Sequence, residues 1–119
     1  EWINKLSIKA NNVDIICNYL SGGNQQKVVL AKWMHAGVSI MIMEHPTRGI
    51  DVGAKKEVYS VIRDLTNRGI SIIIVSDTIE ETIGLSNNII VLKDGELKQI
   101  VKSNKGNKPS QIEIIKYMV

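Results

Sequence analysis

The sequence predicts an α/β fold in which parallel strands carry flanking helices and a β-hairpin follows toward the C-terminal end. Three observations carry that prediction. Ile70–Val75 is almost wholly β-branched, the pattern of a central strand in a parallel sheet covered on both faces. Ser39–Met43 is a second short apolar run, bounded by Gly37 and Pro46, and helical spacing lies between the two runs, so a strand, helix, strand unit with a right-handed crossover is expected. Asp94-Gly95 stands between two apolar segments, a hairpin signal.

The elements follow in order. Residues 1–18 read as a loop-rich lead-in, with an apolar alternation at Leu6 and Ile8 and a polar turn at Asn11 and Asn12. Ser21 is a candidate N-cap for a helix in which Val28, Val29, Ala31, Lys32 and Trp33 carry a period near 3.6. That helix should reach about His35 and stop at Gly37. Ser39–Met43 is then a buried strand, with Glu44 and His45 at its C-terminal end. After the turn region Pro46–Gly53, Val58, Ile62 and Leu65 predict a helix from about Ala54 to Asn67, ended by Arg68-Gly69. A helix over about Ile79–Leu85 follows the second strand. Ile89–Leu92 and Leu97–Val101 form the hairpin. Residues 103–109 read as a polar linker and 110–119 as a terminal helix with Ile112, Ile115 and Met118 on one face. The expected organisation is therefore a lead-in and first helix (1–37), a central region with the hairpin (38–102) and a linker with a terminal helix (103–119).

Composition narrows the function classes. Aromatic residues are 4% with no Phe, so the core must come from Ile, Val, Leu and Met. The net charge of +3 is spread along the chain, with a mild cluster at Lys102, Lys105 and Lys108; a nucleic-acid surface would want a denser basic face. One cysteine, Cys17, excludes an internal disulfide and fits a reducing compartment. No apolar run approaches the ~20 residues a membrane span needs. The first residue is Glu1 rather than Met, and the chain is read as starting inside a longer polypeptide.

Leu20-Ser21-Gly22-Gly23-Asn24-Gln25-Gln26 is the most informative stretch. A serine and two glycines at a helix start present backbone N–H groups, a hydroxyl and a positive dipole end to an anion. The plainer reading is a helix cap with a flexible approach. Met34, Met41 and Met43 read as core fillers, and no ligand spacing supports a metal site from His35, Glu44 and His45.

This heptad resembles the signature motif of ABC-type ATPases, and its Asn-Gln-Gln ending is similar to the sugar-import branch. Ile42–Thr47 resembles a Walker B strand, Arg48–Gly53 a D-loop segment, Ile72–Glu81 the switch strand with its following helix, and Ile89–Leu97 the family's terminal hairpin. The resemblance covers residues 2–101. It implies a partial P-loop NTPase (ABC ATPase) fold, corresponding to the C-terminal part of the second nucleotide-binding domain of a ribose, galactose or nucleoside-type import subunit. It further implies that Ser21, Gly22, Gly23, Asn24 and Gln25 contact nucleotide held by a partner's phosphate loop, with Gly49 and Asp51 in the D-loop. The implied cofactors are ATP and magnesium in the parent assembly. The implied partners are the first ATPase domain of the same polypeptide and membrane permease subunits, at the cytoplasmic face of the cell membrane. No G-x-x-x-x-G-K-[ST] loop occurs in the chain, so no tightly bound nucleotide is expected on it alone.

Three positions depart from the family pattern. Glu44 stands where an Asp orients magnesium, a change that still leaves a carboxylate in reach. His45 stands where the general-base Glu belongs and cannot replace its charge. Asp77 stands at the switch-histidine position, where its charge would repel a γ-phosphate. Structural roles compete: His45 as an exposed turn residue, Asp77 as a cap for the helix near Ile79. Two functional readings follow, a signature-donating half-module and a catalytically inactive regulatory or interaction domain with an ABC-like fold. The resemblance also implies a sheet edge that normally pairs with the phosphate-loop strand. Left bare, such an edge recruits another chain, so light scattering at high concentration should show self-association; a clean monomer would contradict the expectation.

Overall fold

In the computed structural model, which describes residues 1–119, the chain divides into two units, Glu1–Ile73 and Ile74–Val119. The lead-in of the first unit is more ordered than its composition suggests. Trp2–Lys5 form a single helical turn, α1, and Cys17–Tyr19 a 3₁₀ turn. Trp2 Nε1 donates to His35 Nδ1 at 3.4 Å. Leu6 and Ile8 are buried while Ser7, between them, turns left-handed at φ 50°.

Helix α2 spans Gly22–His35, as expected, and Gly37 takes the left-handed backbone (φ 71°) that ends it. Its buried face is not the one the apolar residues predict. Gly23, Asn24, Lys27, Leu30 and Ala31 are buried, whereas Val29 and Trp33 are about half exposed. The reason is that the lead-in and the next helix both offer polar partners to this face.

Strand β1 is Ile40–Glu44. Helix α3 is Val52–Asn67, two residues longer at its start than the sequence suggests because Asp51 caps it. Val58, Val61, Ile62 and Leu65 form its buried face at the predicted spacing. Strand β2 is Ser71–Val75, beside β1 and parallel to it in a two-stranded sheet. The expectation of coverage on both faces is wrong. Met41 and Met43 are buried, but Ile40 and Ile42 are 63% and 72% exposed and Ile73 is 54% exposed. The strands alternate because only one layer of this unit packs against them.

The second unit contains α4 (Ile79–Leu85), β3 (Asn88–Lys93), β4 (Glu96–Lys102) and α5 (Gln111–Ile115). β3 and β4 form the predicted antiparallel hairpin, with Lys93 opposite Glu96. Asp94 and Gly95 both have positive φ, 53° and 78°, as a two-residue primed turn requires. Ile89, Val91, Val101 and Ile114 make the core, with Ile79 and Ile83 against it. Residues 103–109 are no loose linker. Ser103 is fully buried and its Oγ donates to the Ile83 carbonyl, while Lys108 Nζ reaches the carbonyls of Ser86 and Ser103. The terminal helix is shorter than predicted and turns Ile114 inward, leaving Ile112, Ile115 and Met118 exposed. Ser110, which accepts the Glu113 N–H as its cap, sets that phase.

Candidate functional site

The signature-like loop sits at the head of α2. Ser21 takes the N-cap position in extended backbone (φ −61°, ψ 154°), but its side chain does not cap the helix. Its Oγ accepts instead from Asn24 Nδ2 at 2.9 Å, and Asn24 Oδ1 accepts the Lys9 backbone N–H at 2.8 Å. A hydroxyl engaged as an acceptor keeps its own proton to donate, which suits an anion. Gln25 closes the loop: its N–H donates to the Ser21 carbonyl at 2.9 Å and its Nε2 to the Leu20 carbonyl at 3.0 Å. The N–H groups of Gly22, Gly23 and Asn24 lie in the first helical turn, where no carbonyl of the same helix reaches them.

The glycines have a packing reason. A Cβ on Gly22 would fall 2.8 Å from Ile50 Cγ2, and one on Gly23 would fall 2.6 Å from Ala54 Cβ. Both distances are well inside van der Waals contact, so the head of α2 can lie against residues 50–54 only without those side chains. The glycines thus bring the signature-like loop against the D-loop-like segment, a packing role beyond both the anion-facing and the helix-cap readings of the sequence.

In that segment Gly49 is left-handed (φ 73°) and Asp51 is the N-cap of α3, its Oδ1 accepting the Ala54 N–H at 3.0 Å. That bond holds the Asp51 carboxyl below its ordinary value of 3.8. At the end of β1, Glu44 is exposed, and His45 Nε2 lies 3.8 Å from Glu44 Oε1. His45 is not an exposed turn residue: it is half-buried, left-handed at φ 48°, and its carbonyl accepts the Arg48 N–H at 3.1 Å. Pro46 and Thr47 behind it are buried.

In the second unit Asp77 is exposed and does not cap α4. Thr78 does, accepting the Glu81 N–H on its Oγ1 at 3.2 Å, because it stands one residue nearer the helix. His35 belongs with Trp2, and no group of three or more His, Cys, Asp or Glu is arranged to hold a metal. The donors at the head of α2 fit a phosphate. Glu44 offers a single carboxylate, which fits magnesium only as an ion that keeps water and phosphate as its other ligands.

The residue that composition hid is Lys27. It is 2% exposed, and its Nζ donates to the Ser7 carbonyl at 3.0 Å and to Glu57 Oε2 at 2.6 Å. Lys27 holds the Glu57 carboxyl below its ordinary value of 4.5. A cation three residues after Asn24 on one helical face was the available signal.

The fold is that of part of an ABC-type ATPase cassette. An ATP-binding cassette of an ABC transporter in its ADP conformation superposes with a TM-score of 0.75 at 17% identity, over 85% of this chain and 39% of that one. A dimeric cassette in a post-hydrolysis state bound to ADP and Pi gives 0.72 at 24% identity, over 87% and 45%. No family model matches the chain. By sequence the chain is similar to ABC sugar-import ATP-binding proteins. It is 47% identical over 95 residues to the ribose import ATP-binding protein RbsA of Bacillus subtilis, covering 80% of this chain and 19% of that one. It is 45% identical over 115 residues to the galactose/methyl galactoside import ATP-binding protein MglA of Clostridium tetani, covering 97% and 22%. The chain therefore spans about a fifth of the length of these relatives.

Two outcomes follow from the geometry. Gly23→Ala should lower stability by about 1–3 kcal/mol, and adding Ala54→Gly should recover most of that loss in thermal melts; no recovery would show that the 2.6 Å approach is not the cause. Glu57 and Asp51 both have lowered folded-state pKa values, so their contribution is complete above pH 4.5 and is lost as pH falls through the lowered values. Melting temperature should fall below about pH 4.5, less steeply in Glu57→Gln; an identical acid slope in that variant would remove Glu57 from the account.

Proposed function

We propose that this chain is part of an ATP-binding subunit that powers ABC-type import of a simple sugar or nucleoside, and that Ser21–Gln25 complete an ATP site whose phosphate loop belongs to another domain. The observation that carries this reading is the donor set at the head of α2: three first-turn N–H groups beside a serine hydroxyl whose acceptor side is already engaged by Asn24. Similarity to ribose and galactose import ATP-binding proteins supports the cargo class.

In this reading Ser21 donates its hydroxyl proton to a phosphate oxygen, and the N–H groups of Gly22, Gly23 and Asn24 stabilise the charge as the helix dipole does. Gln25 holds the loop's shape through the Ser21 and Leu20 carbonyls. Magnesium, when bound, neutralises phosphate charge, and Glu44 is the residue of this chain that would hold it. His45 supplies no negative charge to draw a proton from water, and Asp77 is acidic where the resemblance places a histidine. The chain's own half-site therefore turns over slowly while its loop serves another. The other ATPase domain of the same polypeptide and membrane permease subunits are the partners, at the cytoplasmic face of the membrane; no helix here is long and apolar enough to cross one.

The three altered positions favour a second reading, a regulatory domain that keeps the fold without catalysis. The two separate on ATP hydrolysis by this chain alone and after addition of the domain carrying the phosphate loop. Activity only in the mixture is expected, lost by about 100-fold in Ser21→Ala and nearly unchanged in His45→Glu. Activity in neither sample supports the regulatory reading, and a large gain from His45→Glu contradicts the asymmetry.

A further inference from the structure

Lys27 joins three stretches that are distant in sequence. Its ammonium lies between the carbonyl of Ser7 in the lead-in and the carboxylate of Glu57 on α3, and its own helix carries the signature-like loop one turn earlier. The lead-in is shaped for this contact. Ser7 adopts a left-handed backbone at φ 50°, Leu6 and Ile8 anchor it from either side, and Lys9 donates its N–H to Asn24, the residue that orients Ser21. Across the helix, Gly22 and Gly23 let α2 lie close against Ile50 and Ala54, where a Cβ on either glycine would clash.

A buried ammonium is costly unless it is paired, and removing one partner leaves the others uncompensated. Lys27 therefore cannot leave its place without releasing Ser7 and Glu57 together. We propose that Lys27 is a positioning residue that locks the Ser21–Gln25 loop and the Gly49–Asp51 turn into one rigid piece, so that nucleotide closing on the loop moves the turn with it. The consequence for nucleotide rests on the proposed role of the loop; the lock itself does not.

Three hydrogen-bonded amides report on the lock: Lys9 to Asn24 Oδ1, Gln25 to the Ser21 carbonyl and Lys55 to the Asp51 carbonyl. Hydrogen exchange read by NMR on the 119-residue chain compares wild type with Lys27→Met, Lys27→Arg and Glu57→Gln. In Lys27→Met all three amides should speed up together by about tenfold or more, while amides near Leu65 keep their rates. Lys27→Arg should restore most of the protection. Glu57→Gln, which keeps the fold's shape if Lys27→Met does not fold, should speed up the same three by about two- to fivefold. Acceleration of Gln25 without Lys55, uniform acceleration across the unit, or no change in Glu57→Gln would each overturn the lock. The nucleotide consequence is read separately, as a raised KM for ATP in the mixture with the phosphate-loop domain. Altered exchange with unaltered KM would leave the lock standing and sink the loop's nucleotide role.

Discussion

The head of α2 can lie against Ile50–Ala54 only because Gly22 and Gly23 carry no side chain there, and that contact sets the electrostatics of the site. It brings the N-termini of two helices together, each with the positive end of its dipole. Neither helix has an acidic residue in its first turn. Asp51 answers for α3, as an N-cap whose carboxylate accepts the Ala54 N–H. At α2 the cap side chain is turned away to Asn24, so the need for negative charge at that end is met by nothing in the helix itself. In the proposed function an anion supplied from outside would meet it. The anion binding proposed for the loop thus rests on packing as much as on the loop's own residues.

The same constraint explains why so polar a face is buried. Lys27 and Asn24 occupy positions where an amphipathic helix would normally put leucine, and each finds a partner in the lead-in or on α3. The displaced apolar residues, Val29 and Trp33, line an apolar groove of about 460 Å³ with Ile40 and Ile42. Hydrophobic layers are stable in pairs, and here β1 and β2 have one covered face. In the second unit the outer face of the hairpin is equally apolar: Ile90 lies opposite Ile100 and Leu92 opposite Leu97, all more than half exposed.

What the sequence made legible was local. Asp94-Gly95, the Val58, Ile62, Leu65 spacing and the Gly37 stop each depend on neighbours a few residues away, and each is where it was expected. What it concealed depends on distant partners. The burial of Lys27 needs Ser7 and Glu57, 20 and 30 residues away; a lysine on a helix otherwise reads as solvent-facing. Alternation in β2 was masked by residues that are apolar on both faces, so periodicity could not show which face would be covered. At α4 the error was one residue: Asp77 and Thr78 are both good caps, and only the geometry of the turn chooses Thr78. The site's motifs were legible by position, while the reason for the glycines was not.

The turn after β1 separates shape from chemistry. Its backbone is fixed by the His45 carbonyl bonding Arg48 N–H, by buried Pro46 and Thr47, and by left-handed Gly49. The His45 bond to Arg48 runs through the backbone, and the carboxylate of Glu44 is largely exposed. Left-handed backbone tolerates histidine better than most side chains, so a histidine at position 45 is compatible with the path to Asp51. The head of α2 packs on Ile50 and Ala54, downstream of that turn. A chain can therefore forfeit the acid that would activate water in its own half-site and still present an undistorted signature-like loop to another, which is the independence the proposed asymmetry requires.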